Sequence, residues 1–162
     1  NPLRHIDWIG FFMMIVAGFG WAKPVPVNPN YFKKPKEGMA ITALAGPVSN
    51  FLLALALLLA ARLVYLRALM TGTLPETLFS FLVNTASLSV GLGLFNLVPV
   101  PPLDGSKVAA VLLPDRAYNW LMRYEQLGMV LLVVIISVGI GSNALDAAIR
   151  WVFELFCRIV GF

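Results

Sequence analysis

The stretch Asn96–Gly105, which reads Asn-Leu-Val-Pro-Val-Pro-Pro-Leu-Asp-Gly, decides the fold of this chain. It closes a run from Thr77 to Leu103 that contains no charged residue, and it brings in the carboxylate of Asp104. Its three prolines lack the amide hydrogen that a helix needs, so a helix should end near Val98. Inside a membrane, irregular backbone of this kind persists only where protein or water surrounds it.

Two interpretations of Asp104 follow from this pattern. An ionisable residue at the end of an apolar run is a candidate functional residue, because a charge is costly within a membrane. In the alternative, the helix has already left the bilayer, Asp104 and Gly105 form a surface turn, and Asp104 caps a helix from Ser106. The pattern alone leaves both interpretations open.

The composition indicates whether the chain is a soluble or a membrane protein. Of the 162 residues, 59% are hydrophobic and 12% are charged, against about 25% charged in soluble domains, and the mean hydropathy is +0.84. These values predict an integral membrane protein. The net charge of +4 is spread over loops without a basic, aromatic-rich stripe, so we expect no nucleic-acid partner. The single cysteine, Cys157, excludes an internal disulfide.

Uncharged runs predict a bundle of transmembrane helices within one domain over residues 1–162. A spanning helix needs about 20 apolar residues, and three runs reach about that length: Met39–Ala61, Thr77–Val98 and Gln126–Leu145. The run Trp8–Ala22 is too short unless it is re-entrant or interfacial. The prolines of the segment Trp21–Asn28 favour extended backbone. The predicted fold is therefore all-α and integral to the membrane, with a short re-entrant or membrane-edge β segment and a turn at residues 28–30.

A charged stripe is predicted near the end of the chain. Side chains of alternating sign recur every four residues, at Asp146, Arg150, Glu154 and Arg158. This spacing predicts an amphipathic helix that lies on or borders the membrane, with a solvated stripe that has no catalytic role.

Loop charges predict the orientation. Lysine and arginine number seven in one set of alternate loops and four in the other. The positive-inside rule therefore places the Lys33–Lys36 loop and the Asp104 loop in the cytoplasm.

Catalytic groups are sparse. A catalytic zinc ion takes three protein ligands, yet the chain has one histidine, His5, and one cysteine, and it contains no HExxH, GxSxG or phosphate-loop motif. The residues by themselves predict a membrane protein with one notable carboxylate and no complete active site.

Four further features of the sequence are the motifs Asn1–Asp7 (NPLRHID), Gly18–Asn28 (GFGWAKPVPVN), Ala45–Asn50 (AGPVSN) and Asn96–Gly105. Their order and spacing resemble the site-2 protease family, the M50-type intramembrane zinc metalloproteases, and in particular its small bacterial branch. The likeness weakens after about Tyr124.

The resemblance implies a zinc site. In the family an HExxH helix provides two histidine ligands and a glutamate base, and Asp104 matches the third ligand. Asn96 matches an asparagine beside the metal that holds the scissile carbonyl or its oxyanion, and Asn50 matches a supporting position. The HExxH motif is expected shortly before Asn1 and is absent from this sequence, so we expect the chain to be N-terminally truncated and inactive alone. His5 belongs to a different motif and is not one of these ligands.

The implied activity is hydrolysis of peptide bonds within transmembrane segments of membrane proteins, in a bacterial plasma membrane. The partners are then a transmembrane protein substrate and the lipid bilayer. We expect Trp21, Val25 and Val27 to bind the unwound substrate by strand addition; a proline-rich connector is the alternative for this segment.

Two other classes of function stay open. One is a non-catalytic membrane scaffold, a pseudoprotease that binds transmembrane helices without cutting them. The other is a small transporter component with Asp104 on an ion path. A transporter predicts further polar residues facing Asp104, and Asn84, Ser87 and Asn96 supply some, but the uncharged spans contain no second carboxylate.

Overall fold

The computed structural model describes residues 6–17, 27–139 and 141–162, and the chain divides into two compact units, Asn1–Phe32 and Lys33–Phe162. Described elements are helical, which confirms the all-α prediction; the single-domain prediction stays a prediction. The helices are α1 (Trp8–Ala17), a short 3-10 helix (Pro29–Tyr31), α2 (Pro35–Thr71), α3 (Glu76–Asn96), α4 (Asp104–Ala110), α5 (Asp115–Arg123), α6 (Glu125–Val138) and α7 (Ser142–Val160).

The first unit begins with a capped helix. The Asp7 carboxylate accepts hydrogen bonds from the amides of Ile9 and Gly10, at 3.0 and 3.1 Å, and so satisfies two amides in the first turn of α1. With 10 residues, α1 is too short to cross a membrane. The predicted turn at residues 28–30 is confirmed, because the Asn28 side chain accepts a hydrogen bond from the amide of Asn30 at 3.0 Å.

The predicted β segment does not appear in the described part of the chain. Trp21 and Val25 lie outside the described residues. Val27 and Asn28 lie within them and are not in a strand, and Val27 is 38% exposed.

The second unit is built on the pair α2 and α3. Both helices are long and apolar enough to cross a membrane, and they pack along each other. Helix α2 has 37 residues and extends beyond the predicted run at both ends, whereas α3 closely matches its prediction. Their contact buries Ala54 and Leu58 of α2 against Ala86 and Val90 of α3.

The third predicted span, Gln126–Leu145, is wrong. Helix α6 ends at Val138, because Gly139 and Gly141 adopt positive φ angles of 74° and 81° that end a right-handed helix. Fourteen residues rise only about 21 Å, less than a bilayer core. Of the described helices, two rather than three could span a membrane.

Helix α7 carries the predicted charged stripe, and its four charged side chains are all exposed. Glu154 and Arg158 approach to 4.0 Å. The helix runs antiparallel to α3, because Ile149 contacts the Gly91 region while Phe162, just beyond its end, packs on Phe79. Its apolar face covers the core of α2 and α3 with Ile149, Val152, Phe153, Phe156, Cys157 and Val160.

Helices α4 and α5 attach near the N-terminal end of α2, which the loop charges predict to be cytoplasmic. Helix α4 packs on α2, and α5 contacts both α4 and α6. Lys36 fixes the connection from α4 to α5: its Nζ donates to the carbonyl of Leu113 at 3.0 Å, pairs with Asp115 at 2.5 Å and lies 5.0 Å from the ring centroid of Tyr118.

Candidate functional site

The proline-rich loop ends α3 as the sequence predicts. The amides of Leu97 and Val98 bond to carbonyls three residues back, which tightens the last turn. The amide of Leu103 then donates to the carbonyl of Val100 at 2.9 Å and closes a tight turn. Helix α4 begins directly after this turn, at Asp104.

Gly105 lets the loop fold back onto the end of α3. A Cβ atom at this position would lie 2.1 Å from the carbonyl oxygen of Leu97 and 2.7 Å from that of Val98. The two stretches of backbone are therefore in direct contact. Because Asn96 precedes Leu97 and Asp104 precedes Gly105, this contact brings both predicted site residues to the same end of α3.

Asp104 faces α2 at Gly46. A Cβ atom at Gly46 would lie 3.0 Å from the Oδ2 atom of Asp104, so the carboxylate fits against α2 only because position 46 has no side chain. Asp104 itself is half-buried, and its neighbours Leu103, Gly105 and Ser106 are buried.

The carboxylate of Asp104 does not cap a helix. Leu103 holds the N-cap position, and α4 starts at Asp104 rather than at Ser106. Among the described residues, none donates a hydrogen bond to this carboxylate or lies within ion-pair distance of it. The structure thus differs from the surface-turn alternative, because the side chain lies against α2 and keeps its acceptor oxygens available.

Partial burial changes the electrostatics of this group, which lies outside the two potential spans. Desolvation raises the pKa of the Asp104 carboxyl, and the positive charge of Lys107 opposes that rise. A carboxylate in this setting gains from a nearby cation.

Asn50 lies one helical turn after Gly46, on the same face of α2. Its backbone carbonyl accepts a hydrogen bond of 2.8 Å from the hydroxyl of Ser89, which links α2 to α3 at this level. Next to it, the Phe51 ring occupies the space where a side chain at Gly93 would stand, 2.7 Å from the ideal Cβ. The predicted site residues Asn50, Asn96 and Asp104 therefore lie on the three helices that meet at this junction.

The predicted substrate residues fall within residues 21–27, before the second unit begins. Trp21 and Val25 lie outside the described residues, and Val27 belongs to the first unit. Their role stays a prediction.

The described residues could supply one ligand of a metal site. Within residues 6–17, 27–139 and 141–162, no group of three or more His, Cys, Asp and Glu side chains is placed to hold a metal ion. Asp104 offers an accessible carboxylate, which is an accepted zinc ligand, so the described residues fit a zinc ion as the source of one ligand of three.

Comparison with known proteins decides the family. The model of Peptidase family M50 matches residues 68–139, which include Asn96 and Asp104. A Bacillus subtilis (strain 168) protein named "Putative zinc metalloprotease YwhC" is 38% identical over 151 residues, covering 90% of this chain and 67% of that protein. The chain belongs to peptidase family M50. No solved structure matches it.

Membership in M50 confirms the resemblance to the site-2 proteases and makes this chain a member of a family of membrane metalloproteases. The sequence motifs single out Asp104, Asn50 and Asn96. They do not show which neighbouring residues position these side chains. Gly105 directly follows Asp104 in the sequence, and Gly46 lies among the small residues before Asn50. Only the structure shows that backbone and carboxylate contacts depend on these two glycines.

Proposed function

We propose that this chain forms the core of an intramembrane zinc metalloprotease that hydrolyses peptide bonds within transmembrane segments of membrane proteins. One observation carries the proposal: the half-buried Asp104 carboxylate lies against Gly46 of a potential spanning helix and has no hydrogen-bond donor among the described residues. An acid in such a place is costly unless a ligand or water compensates it.

Asp104 would hold the zinc ion as one of three protein ligands. By the family pattern, the two histidine ligands and the glutamate base belong to an HExxH motif, which residues 1–162 do not contain. When bound, zinc supplies Lewis acidity toward the scissile carbonyl and toward a water molecule. The Leu97–Gly105 contact would fix the ligand, since Asp104 cannot turn away without moving the end of α3.

Asn96 and Asn50 would act on the substrate and its surroundings. The amide of Asn96, at the end of α3, is a hydrogen-bond donor that can stabilise the charge developing on a carbonyl oxygen. Asn50 would support the same region from α2, where Ser89 holds its backbone. The irregular backbone of residues 97–103 would admit the water that hydrolysis consumes.

The proposed setting is a bacterial plasma membrane, with Asp104 towards the cytoplasmic side. The distribution of lysine and arginine between loops supports this orientation. A transmembrane protein is the proposed substrate, and Trp21, Val25 and Val27 are proposed to contact it once it has unwound.

The test uses the full-length gene product, purified with zinc. Asp104→Ala should abolish cleavage of a transmembrane substrate and lower the bound zinc, which atomic absorption measures. Asp115→Ala is the matched control, because this carboxylate is 87% exposed and far from Gly46 in sequence. Full activity with unchanged zinc in the Asp104 variant would overturn the assignment.

A further inference from the structure

An apolar groove opens beside the loop that carries Asp104. Its cavity volume is about 550 Å³, within the usual range of ligand sites. One wall is Pro101, and α5 and α6 with the residue between them form the rest. The lining residues are Pro101, Trp120, Leu121, Tyr124, Leu127, Gly128 and Leu131.

The lining selects for an apolar occupant. No lining residue is charged, and the polar side-chain groups among them are the Tyr124 hydroxyl and the Trp120 indole N–H. The rings of Trp120 and Tyr124 lie 5.2 Å apart and form an aromatic wall. A large aliphatic or aromatic side chain would be retained in such a groove, whereas a charged one would lose its hydration without compensation.

The groove is close to the proposed scissile bond. Pro101 precedes Asp104 by three residues, so their Cα atoms are separated by at most about 10 Å. The turn closed by Val100 and Leu103 shortens this span further. Because an extended peptide advances about 3.3 Å per residue, the groove lies within about three residues of a bond held at Asp104.

The helix that lines the groove is also in direct contact with the loop. A Cβ atom at Gly128 of α6 would lie 2.5 Å from the Cβ atom of Pro101 and 2.7 Å from its carbonyl oxygen. Helix α6 thus touches the loop directly at the position that forms the groove wall. A side chain bound there would be held in a fixed relation to Asp104.

We propose that this groove is a specificity subsite that receives one large apolar side chain of the unwound substrate, within three residues of the cleaved bond. The inference rests on the proposed function. Its occupant is a substrate side chain because the groove wall is continuous with the loop that presents Asp104.

The first test compares substrates. Synthetic transmembrane peptides that differ at one position, Phe or Ala, are scanned over three residues on each side of the cleaved bond and offered to the zinc-loaded full-length protein. At one position the wild-type protein should favour Phe by about tenfold in kcat/KM. Leu127→Trp fills the groove and should bring this ratio close to one. Leu112→Trp, at an 88% exposed residue outside the groove, should leave it unchanged.

The second test does not depend on cleavage. A peptide with benzoylphenylalanine at the same position should cross-link to α5 or α6 in wild-type protein and in Leu112→Trp, and lose most of that cross-link in Leu127→Trp. If no peptide is cut but this pattern appears, the proposed function is wrong, and the groove binds an apolar side chain without acting as a specificity subsite. If peptides are cut without a Phe preference, or no cross-link reaches α5 or α6 because a lipid chain fills the groove, the groove assignment is overturned.

Discussion

Gly105 and Leu97 meet backbone to backbone: a Cβ atom at Gly105 would lie 2.1 Å from the Leu97 carbonyl oxygen and 2.3 Å from the carbonyl carbon. No side chain fits between them. The contact holds the first turn of α4, which carries Asp104, against the end of α3, which carries Asn96. A short length of irregular backbone thereby acquires a defined position between two helices.

Gly105→Ala should disrupt this junction. The added methyl group overlaps backbone atoms that cannot rotate away, so we expect a loss of stability at or above the usual overpacking cost of about 1–3 kcal/mol. The apparent Tm in detergent and cleavage by the full-length protein should both fall.

Gly91→Ala is the control for this variant. Its Cβ would meet the Cδ1 atom of Ile149 at 3.6 Å, an ordinary contact, and alanine favours a helix over glycine by about 1 kcal/mol. This variant should keep its Tm and its activity. Equal behaviour of the two alanine variants would show that the contact at Gly105 is not critical.

Gly46→Ala should separate stability from function. Alanine is the better helix former by about 1 kcal/mol, so the Tm should hold or rise. Its Cβ, however, would lie 3.0 Å from Oδ2 of Asp104 and push the carboxylate aside. On the proposed function, zinc affinity should then fall about tenfold, as it does when support around a ligand is disturbed.

A chelator competition on the full-length protein measures this effect. Ser49→Ala serves as the control on α2, because the Ser49 hydroxyl is exposed and bonds only within its own helix, to the carbonyl of Gly46 at 2.7 Å. Zinc affinity equal to that of the wild type in Gly46→Ala would contradict the expected displacement.

The sequence predicts the two potential spanning helices and the end of α3 well, because the absence of charge and the presence of proline act on nearby residues of the chain. It misplaces the third span, because the uncharged run continues through residues 139–141. The structure has positive φ angles at Gly139 and Gly141, which end the helix there. The charged stripe of α7 is predicted correctly. That its apolar face covers Leu58 and Val90 depends on tertiary packing, which periodicity alone does not contain.

The sequence proposes residues for the candidate site, whose roles stay predictions, and it does not give their contacts. Motifs single out Asn50, Asn96 and Asp104, but the distance of Asp104 from α2 depends on how three helices meet. The groove beside Pro101 could not be predicted from the sequence for a related reason. Its lining comes from separate elements, and none of its residues carries a distinctive chemical group.

Lys36 should stabilise the attachment of α5 more than its ion pair alone would suggest. Asp115 is 87% exposed, so the pair itself contributes at most about 1 kcal/mol. Lys36 also donates to the Leu113 carbonyl and lies over the Tyr118 ring. Lys36→Ala should therefore lower the Tm clearly more than Asp115→Asn does. Equal shifts in thermal unfolding would mean that the two additional contacts contribute nothing.

Ser89→Ala should weaken the link between the two potential spanning helices. The Ser89 hydroxyl is buried and donates to the Asn50 carbonyl across the α2–α3 contact at 2.8 Å. Bonds of this kind between membrane helices contribute about 0.6 kcal/mol on average, so the loss of stability should be small but measurable by unfolding in mixed detergent. Thr85→Ala is the matched control, since the exposed Thr85 hydroxyl bonds only within α3, to the carbonyl of Phe81 at 2.7 Å. On the proposed function, cleavage should fall in the Ser89 variant and not in the Thr85 variant, because only Ser89 positions the backbone of Asn50. The opposite order would place the support of Asn50 elsewhere.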